Sequence, residues 1–220
     1  MPDTQVKQKI DWTDIKVAFF VGCVFIVIKS VLYIRPGLYL GNLDSLVPFL
    51  LCILYTINRA RHQPEKLDEW GITTPITPLA TIVMLMMLGV GIGCLAALGL
   101  SLSGELSFKF RYASRMVEYI VSAFPQQFFL CSVILVSLSK VKMLHGQWRL
   151  PLVVGLLFAL AHFWTPFHIP GTKIPLQLVG TFPVGFMAAW YFLKFRTLLP
   201  LVLSHAVLYV LLNRWVEAHL

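Results

Sequence analysis

The stretch FPQQFFLCS, Phe124 to Ser132, decides how the chain is read. It lies inside an apolar run of 23 residues, Met116 to Leu138, long enough to cross a hydrocarbon core of about 30 Å. Yet it carries two adjacent amides. Gln126 and Gln127 fall about eleven residues into the run, where water is scarce and each amide must find partners in the protein. They are therefore expected to face other helices. Hydrogen bonding between helices is one sufficient reason for such a pair. Pro125 supplies a second: it removes a backbone donor and frees the Val121 carbonyl, a local break of the kind that lines cavities more often than lipid.

The rest of the chain has the same apolar character. Of its 220 residues, 58% are hydrophobic and 13% are charged, where soluble domains carry about a quarter charged residues. The composition predicts an integral membrane protein with little room for a separate soluble domain. Candidate spans run from Ile15 to Ile34, Leu43 to Ile57, Leu79 to Leu100, Met116 to Leu138, Leu150 to Trp164, Leu176 to Leu193 and Leu198 to Leu212. This is an all-α polytopic bundle of about seven helices, six to eight, in one domain over residues 1–220. HQPEKLDEWGITTPITP is expected to be a solvated connection.

A formal charge of +8 suggests nucleic acid in a soluble chain, but here the Lys and Arg collect in short loops, so no nucleic-acid partner is expected. With seven spans, about eleven of them fall on the N-terminal side and six on the other, which predicts a cytoplasmic N-terminus in the cell membrane. SLSGELSFKFRYASR places three basic residues on the sparser side, as an interfacial amphipathic piece would. The opening MPDTQVKQKIDWTD lacks the short core and small-residue cut site of a cleaved signal peptide. Cys23, Cys52, Cys94 and Cys131 all lie in apolar runs without metal-binding or redox spacing, so no disulfide framework is expected.

Polar groups at membrane depth narrow the search for a site: Lys29, Glu118, Gln126, Gln127, His162 and His205. Lys29 is near a helix end and can snorkel. Glu118 is three residues from Arg115 and suits an ion pair. His168 and His145 read as loop residues. His162 in FALAHFW and His205 in LVLSHAVLY are each alone in an apolar helix. Either one taken singly suits a packing role, but two of them on separate helices, with an amide pair on a third, supply one another's hydrogen-bond partners in a shared cavity.

The order and context of these segments resemble the CPBP family, the type II CAAX prenyl proteases and bacteriocin-processing membrane proteins. That family's pattern is a helix with EExxxR, a later FxxxH, and a last helix with HxxxN. Here Phe158 to His162 keeps the second motif and His205 opens the third within RTLLPLVLSHAVL. The likeness runs from about Pro125 to Asn213 and marks 116–213 as the family-like core; KLDEWGITTP is also familiar in its position. The departures lie at four polar positions. Gln126 and Gln127 stand where the family has glutamates, Cys131 where it has arginine, and Tyr209 where it has asparagine.

In active relatives the resemblance implies a glutamate acting on water as general base, helped by histidine, with a last-helix polar group steadying the oxyanion. An amide cannot take the proton, though it can orient water or donate to an oxyanion. Loss of a positioned acid–base group costs about 100-fold to 10,000-fold in rate. Histidine, with an unperturbed pKa of about 6.5, is a workable base. The candidate catalytic set is thus His162, His205, Gln126, Gln127 and Tyr209, with Cys131 as an alternative nucleophile that apolar burial would leave inert. Two histidines without further ligands make an incomplete zinc shell, so neither metal nor cofactor is expected. Two functions follow: a CPBP-type intramembrane endopeptidase processing peptides or protein tails, or a pseudoprotease that binds a membrane protein or peptide without cutting it. A transporter is less favoured, because the spans lack paired charges along a path. The expected partners are the lipid bilayer and a membrane peptide or protein; the oligomeric state is left open.

Overall fold

The computed structural model describes residues 11–34, 43–106, 111–144, 147–162 and 176–216. His145 and His168 lie outside them, as does the side chain of Lys29. The described chain is a helical bundle: α1 (Trp12–Ile34), α2 (Leu43–His62), α3 (Glu65–Glu69), α4 (Pro78–Ser103), α5 (Arg111–Gln127), α6 (Val136–Leu138), α7 (Arg149–Leu160), α8 (Leu176–Phe195) and α9 (Leu199–Leu211). A π-helix, Phe128–Leu135, joins α5 to α6, so one continuous rod runs through the amide pair. Among the described residues, three helices have the length and apolarity to cross a membrane: Pro78–Ser103, Arg115–Leu138 and Leu199–Val216.

Burial separates the centre from the periphery. In the rod 67% of the apolar window is buried, in α4 only 11%, although α4 is the more apolar of the two. An apolar helix of 26 residues, about 39 Å long, that the bundle leaves uncovered has lipid as its solvent. Its ends are well made: Thr77 accepts a hydrogen bond from the Ala80 amide at 3.2 Å, and Gly104 closes the helix in the left-handed region at φ 75°.

Helices α7 and α8 approach closely because glycines face the contact. A Cβ added to Gly155 would stand 3.0 Å from the Phe182 carbonyl oxygen, and one added to Gly185 would stand 2.6 Å from Phe158 Cβ. Small residues let membrane helices pack backbone to backbone. Here they also fix Phe158, the first residue of the FxxxH motif.

The connection expected to be solvated is partly a structural plug. Trp70 is 1% exposed and packs edge-on against Phe128, with ring centroids 5.1 Å apart, and against Tyr55 at 5.8 Å. Ser132 Oγ donates to the Trp70 carbonyl at 2.7 Å, and the Leu198 amide donates to the Gly71 carbonyl at 3.0 Å. A run rich in charge and proline hides one tryptophan whose ring fits the bundle, and the backbone polar groups beside it are satisfied by the rod and by the start of α9.

Beside this plug lies a charge network. Asp14, 1% exposed, accepts from Arg59 at 2.6 Å, from Lys66 at 2.8 Å and from the Tyr55 hydroxyl. Lys66 also meets Glu69 at 3.4 Å, and Glu69 meets Lys140 at 2.8 Å. The network ties together the start of α1, the end of α2, α3 and the segment after α6. Burial opposes ionisation of Asp11, but the Arg59 and Lys66 charges outweigh it and hold its carboxyl below the usual range.

Candidate functional site

The rod enters the site as an α-helix and leaves it as a π-helix. Pro125 lies inside α5 without ending it; the helix instead widens from Phe128 to Leu135. Single π turns inside α-helices are common at functional sites. The two glutamines part company at this junction. Gln127 is 1% exposed, and its Nε2 stands 2.7 Å from His205 Nδ1 on α9. Its Oε1 accepts from the Cys131 thiol at 3.6 Å. Gln126 turns the other way and donates to the Ser122 carbonyl at 3.2 Å.

His162 lies just beyond the last turn of α7, which ends at Leu160 and so falls short of the expected Trp164. Its Nδ1 is 2.7 Å from the Phe158 carbonyl oxygen. The Phe158 ring is wedged between the two histidines, 4.7 Å from His162 and 5.6 Å from His205, edge-on to both. Tyr209, one turn beyond His205, packs edge-on against Tyr119 at 4.7 Å.

These contacts gather Gln126, Gln127, Cys131, His162 and His205 at one depth, but not into one open chamber. A cavity of about 280 Å³ lies between α1, α2, the rod and α7. Gln126, Phe158 and His162 line it, with Ser122 and Pro125 from the rod and Pro48 from α2. Gln127, Cys131 and His205 stand behind Phe158 and are not on its wall. The Phe158 ring stands between His162 on the cavity wall and His205, which with Gln127 and Cys131 is not among the lining residues. Two prolines inside helices line the cavity, as irregular backbone at membrane depth does where it borders a hollow rather than lipid.

Hydrogen-bond chemistry fixes the proton on each ring. A carbonyl oxygen only accepts, so His162 Nδ1 carries hydrogen and its Nε2 the lone pair. The Gln127 amide nitrogen only donates, so His205 Nδ1 accepts and its Nε2 carries the hydrogen. One ring is thereby a base toward whatever meets Nε2, and the other is a donor. Cys131 is fully buried and uses its hydrogen toward Gln127, so the structure does not present it as a nucleophile. Among the described residues no three His, Cys, Asp or Glu side chains come together around a point that would hold a metal ion.

Sequence reasoning missed the residues of α1 and α2 that close the cavity, Ala18, Gly22 and Pro48 among them. Nothing in an apolar helix distinguishes a cavity face from a packed one, although Pro48 inside α2 was a readable signal.

The described chain is thus a helical bundle with apolar helices of membrane-crossing length and a polar cluster made by an amide pair, an FxxxH turn and a last-helix histidine. Residues 112–211, from α5 to the end of α9, match the family model described as Rce1-like, type II CAAX prenyl endopeptidase Rce1-like. Every candidate site residue falls within the match; α1 and α2, the far wall of the cavity, lie outside it. No curated protein and no solved structure matches the chain.

Proposed function

We propose that this chain is a CPBP-type intramembrane endopeptidase-like protein that takes a peptide segment of a membrane protein into the cavity between α1, α2, the rod and α7. The observation that carries the reading is the pairing of His162 and Gln126 on the wall of an otherwise apolar hollow. An apolar cavity with a few convergent polar groups is the usual form of a binding site. In the hydrolytic step, His162 Nε2 takes a proton from water while the water oxygen attacks the peptide carbonyl carbon. The same proton then passes to the departing nitrogen as the carbon–nitrogen bond breaks, leaving a carboxyl and an amine. Gln126 holds the carbonyl or the water by its amide. His205 and Gln127 brace Phe158 and the rod from behind. The protein sits in the cell membrane with its N-terminus in the cytoplasm, as the excess of Lys and Arg on that side favours.

A second reading, binding without cleavage, is favoured by one observation. The family's glutamate positions hold amides, and Gln127 is committed to His205 and Cys131. The two readings separate when the purified protein in nanodiscs is given membrane peptides and the products are read by mass spectrometry. Products that vanish in His162→Ala and persist in Cys131→Ala support hydrolysis. A partner that co-purifies uncut, and is lost in His162→Ala and Gln126→Ala, supports binding alone. Products that survive His162→Ala sink the proposed base.

A further inference from the structure

A second cavity, an open cleft of about 780 Å³, lies at the end of the bundle where α1 begins and where α2, the rod and α8 end. Its wall is charged. Asp11, Lys66, Glu69 and Lys140 line it but largely neutralise one another through the ion pairs described above. What remains is one cation and two anions. Arg196 has no carboxylate within ion-pair distance among the described residues, and Glu65 and Asp68 have no cation there; Asp68 only accepts a hydrogen bond from Thr74 at 3.0 Å.

Arg196 is held in place at a cost. Among the described residues it is the only one other than glycine with positive φ, at 54°. The position directly follows the end of α8, where a left-handed residue is usually glycine. A non-glycine residue there is strained, and such residues concentrate at ligand clamps. The backbone is pinned by the loop below it: a Cβ on Gly71 would come within 2.5 Å of the Arg196 carbonyl oxygen. Glycine would satisfy the turn, so the side chain is what an arginine adds. Its guanidinium lies over the Phe192 ring at 5.9 Å and faces the cleft.

The membrane-length helix Arg115–Leu138 ends at the cleft, whose wall includes Ser139 and Lys140 just beyond it, and the end of a spanning helix lies at headgroup level. The cleft is built from the ends of four long helices, and exposed Trp12, next to Asp11, has the position of an interfacial aromatic. A lone guanidinium recognises phosphate, and two free carboxylates in the same cleft disfavour a purely anionic group but suit an ammonium. We propose that this cleft binds a phosphate ester carrying a primary ammonium group, the chemistry of an ethanolamine phospholipid headgroup, with Arg196 on the phosphate and Glu65 and Asp68 on the ammonium. A quaternary ammonium, which has no N–H to donate, fits less well.

The test is native mass spectrometry of the delipidated full chain with phosphatidylethanolamine, phosphatidylglycerol or soluble phosphoethanolamine. Wild type is expected to retain phosphatidylethanolamine about tenfold better than phosphatidylglycerol, the worth of about one charge-assisted hydrogen bond. Arg196→Gly relieves the backbone, so the variant folds, and it is expected to lose that retention; Arg196→Lys keeps part of it. Glu65→Gln with Asp68→Asn erases the preference between the two lipids. Retention of phosphoethanolamine as well identifies the headgroup chemistry as sufficient, and retention of the lipid alone identifies the bilayer as its source. Equal retention of the two lipids by wild type, or unchanged retention by Arg196→Gly, overturns the proposal.

Discussion

The molecule solves the problem of buried polarity in two opposite ways. Where α1, α2 and α3 meet, Asp14 is sealed from water and paired with Arg59 and Lys66, with Tyr55 as a further donor. At mid-depth, Gln126, Gln127, His162 and His205 carry out the same task with neutral groups. The first set lies near an open cleft, where solvent screens the outer members; the second is walled by Phe158 and apolar helices. A carboxylate in the second place needs a full counter-charge, and none is present: the family's arginine position holds Cys131.

The largest effect is expected where charge is fully enclosed. Asp14→Ala leaves Arg59 and Lys66 facing each other with only the more exposed Asp11 and Glu69 as partners, and loss of one partner from a buried pair costs about 3–5 kcal/mol. The thermal midpoint in detergent should drop steeply, or the variant should fail to accumulate folded. A loss no greater than that of Arg115→Gln, whose pair with Glu118 is half exposed at 3.1 Å, would mean that the network is not sealed as described.

Gly185→Ala comes next. Its new methyl group meets Phe158 Cβ, and overpacking of this kind costs about 1–3 kcal/mol. Because Phe158 separates the cavity from the His205 set, the variant should also lose cleavage or partner capture, which a change remote from the site would not.

Gln127 tests the neutral side directly. Gln127→Leu strips a buried partner from His205 and Cys131, at about 1–3 kcal/mol. Gln126→Glu puts a carboxylate on the cavity wall that His162 also lines. If the chain hydrolyses peptides, the product yield should rise, by as much as about 100-fold, the lower end of what a positioned acid–base group supplies. No gain of product, with folding intact, sharpens the case for binding alone.

How far the sequence disclosed this arrangement differs between the two places. The rod, the FALAH turn and the histidine of α9 are readable because apolar runs of membrane length isolate each polar residue, and an isolated polar residue in lipid must have a reason. Gln126 and Gln127 part because neighbours on a helix point about 100° apart, but which of the two turns to the cavity was not readable. Asp14 and Lys66 are 52 residues apart in sequence and meet only because α1 and α2 run antiparallel into α3. Trp70 was hidden by its neighbours, since charge and proline around it describe a loop, whereas the indole obeys the bundle.

The smallest effect is in pH, and it separates the two regions by the range in which each can respond. Burial opposes ionisation of Glu69, but its hydrogen bond with Lys140 and the Lys66 charge outweigh it, so its carboxyl, like that of Asp11, is held below the usual value. Groups shifted down in this way stabilise the fold fully above their ordinary values, 4.5 and 3.8, and lose that contribution as pH falls through those values toward the folded ones. Lys66 is shifted the other way: burial opposes its charge, but the Asp14 hydrogen bond and the Asp14 and Glu69 charges prevail, so its contribution is complete below 10.5 and fades only at higher pH. The contribution of this charged network to the thermal midpoint should therefore be flat from about pH 5 to pH 10 and fall on the acid side. Lys140→Gln should bring the acid fall closer to pH 4.5, because Glu69 then keeps only Lys66. A fall centred between about pH 6 and 7 would implicate the histidines instead, and would mean that protonation of the neutral cluster, rather than of the charged one, limits the stability of the bundle.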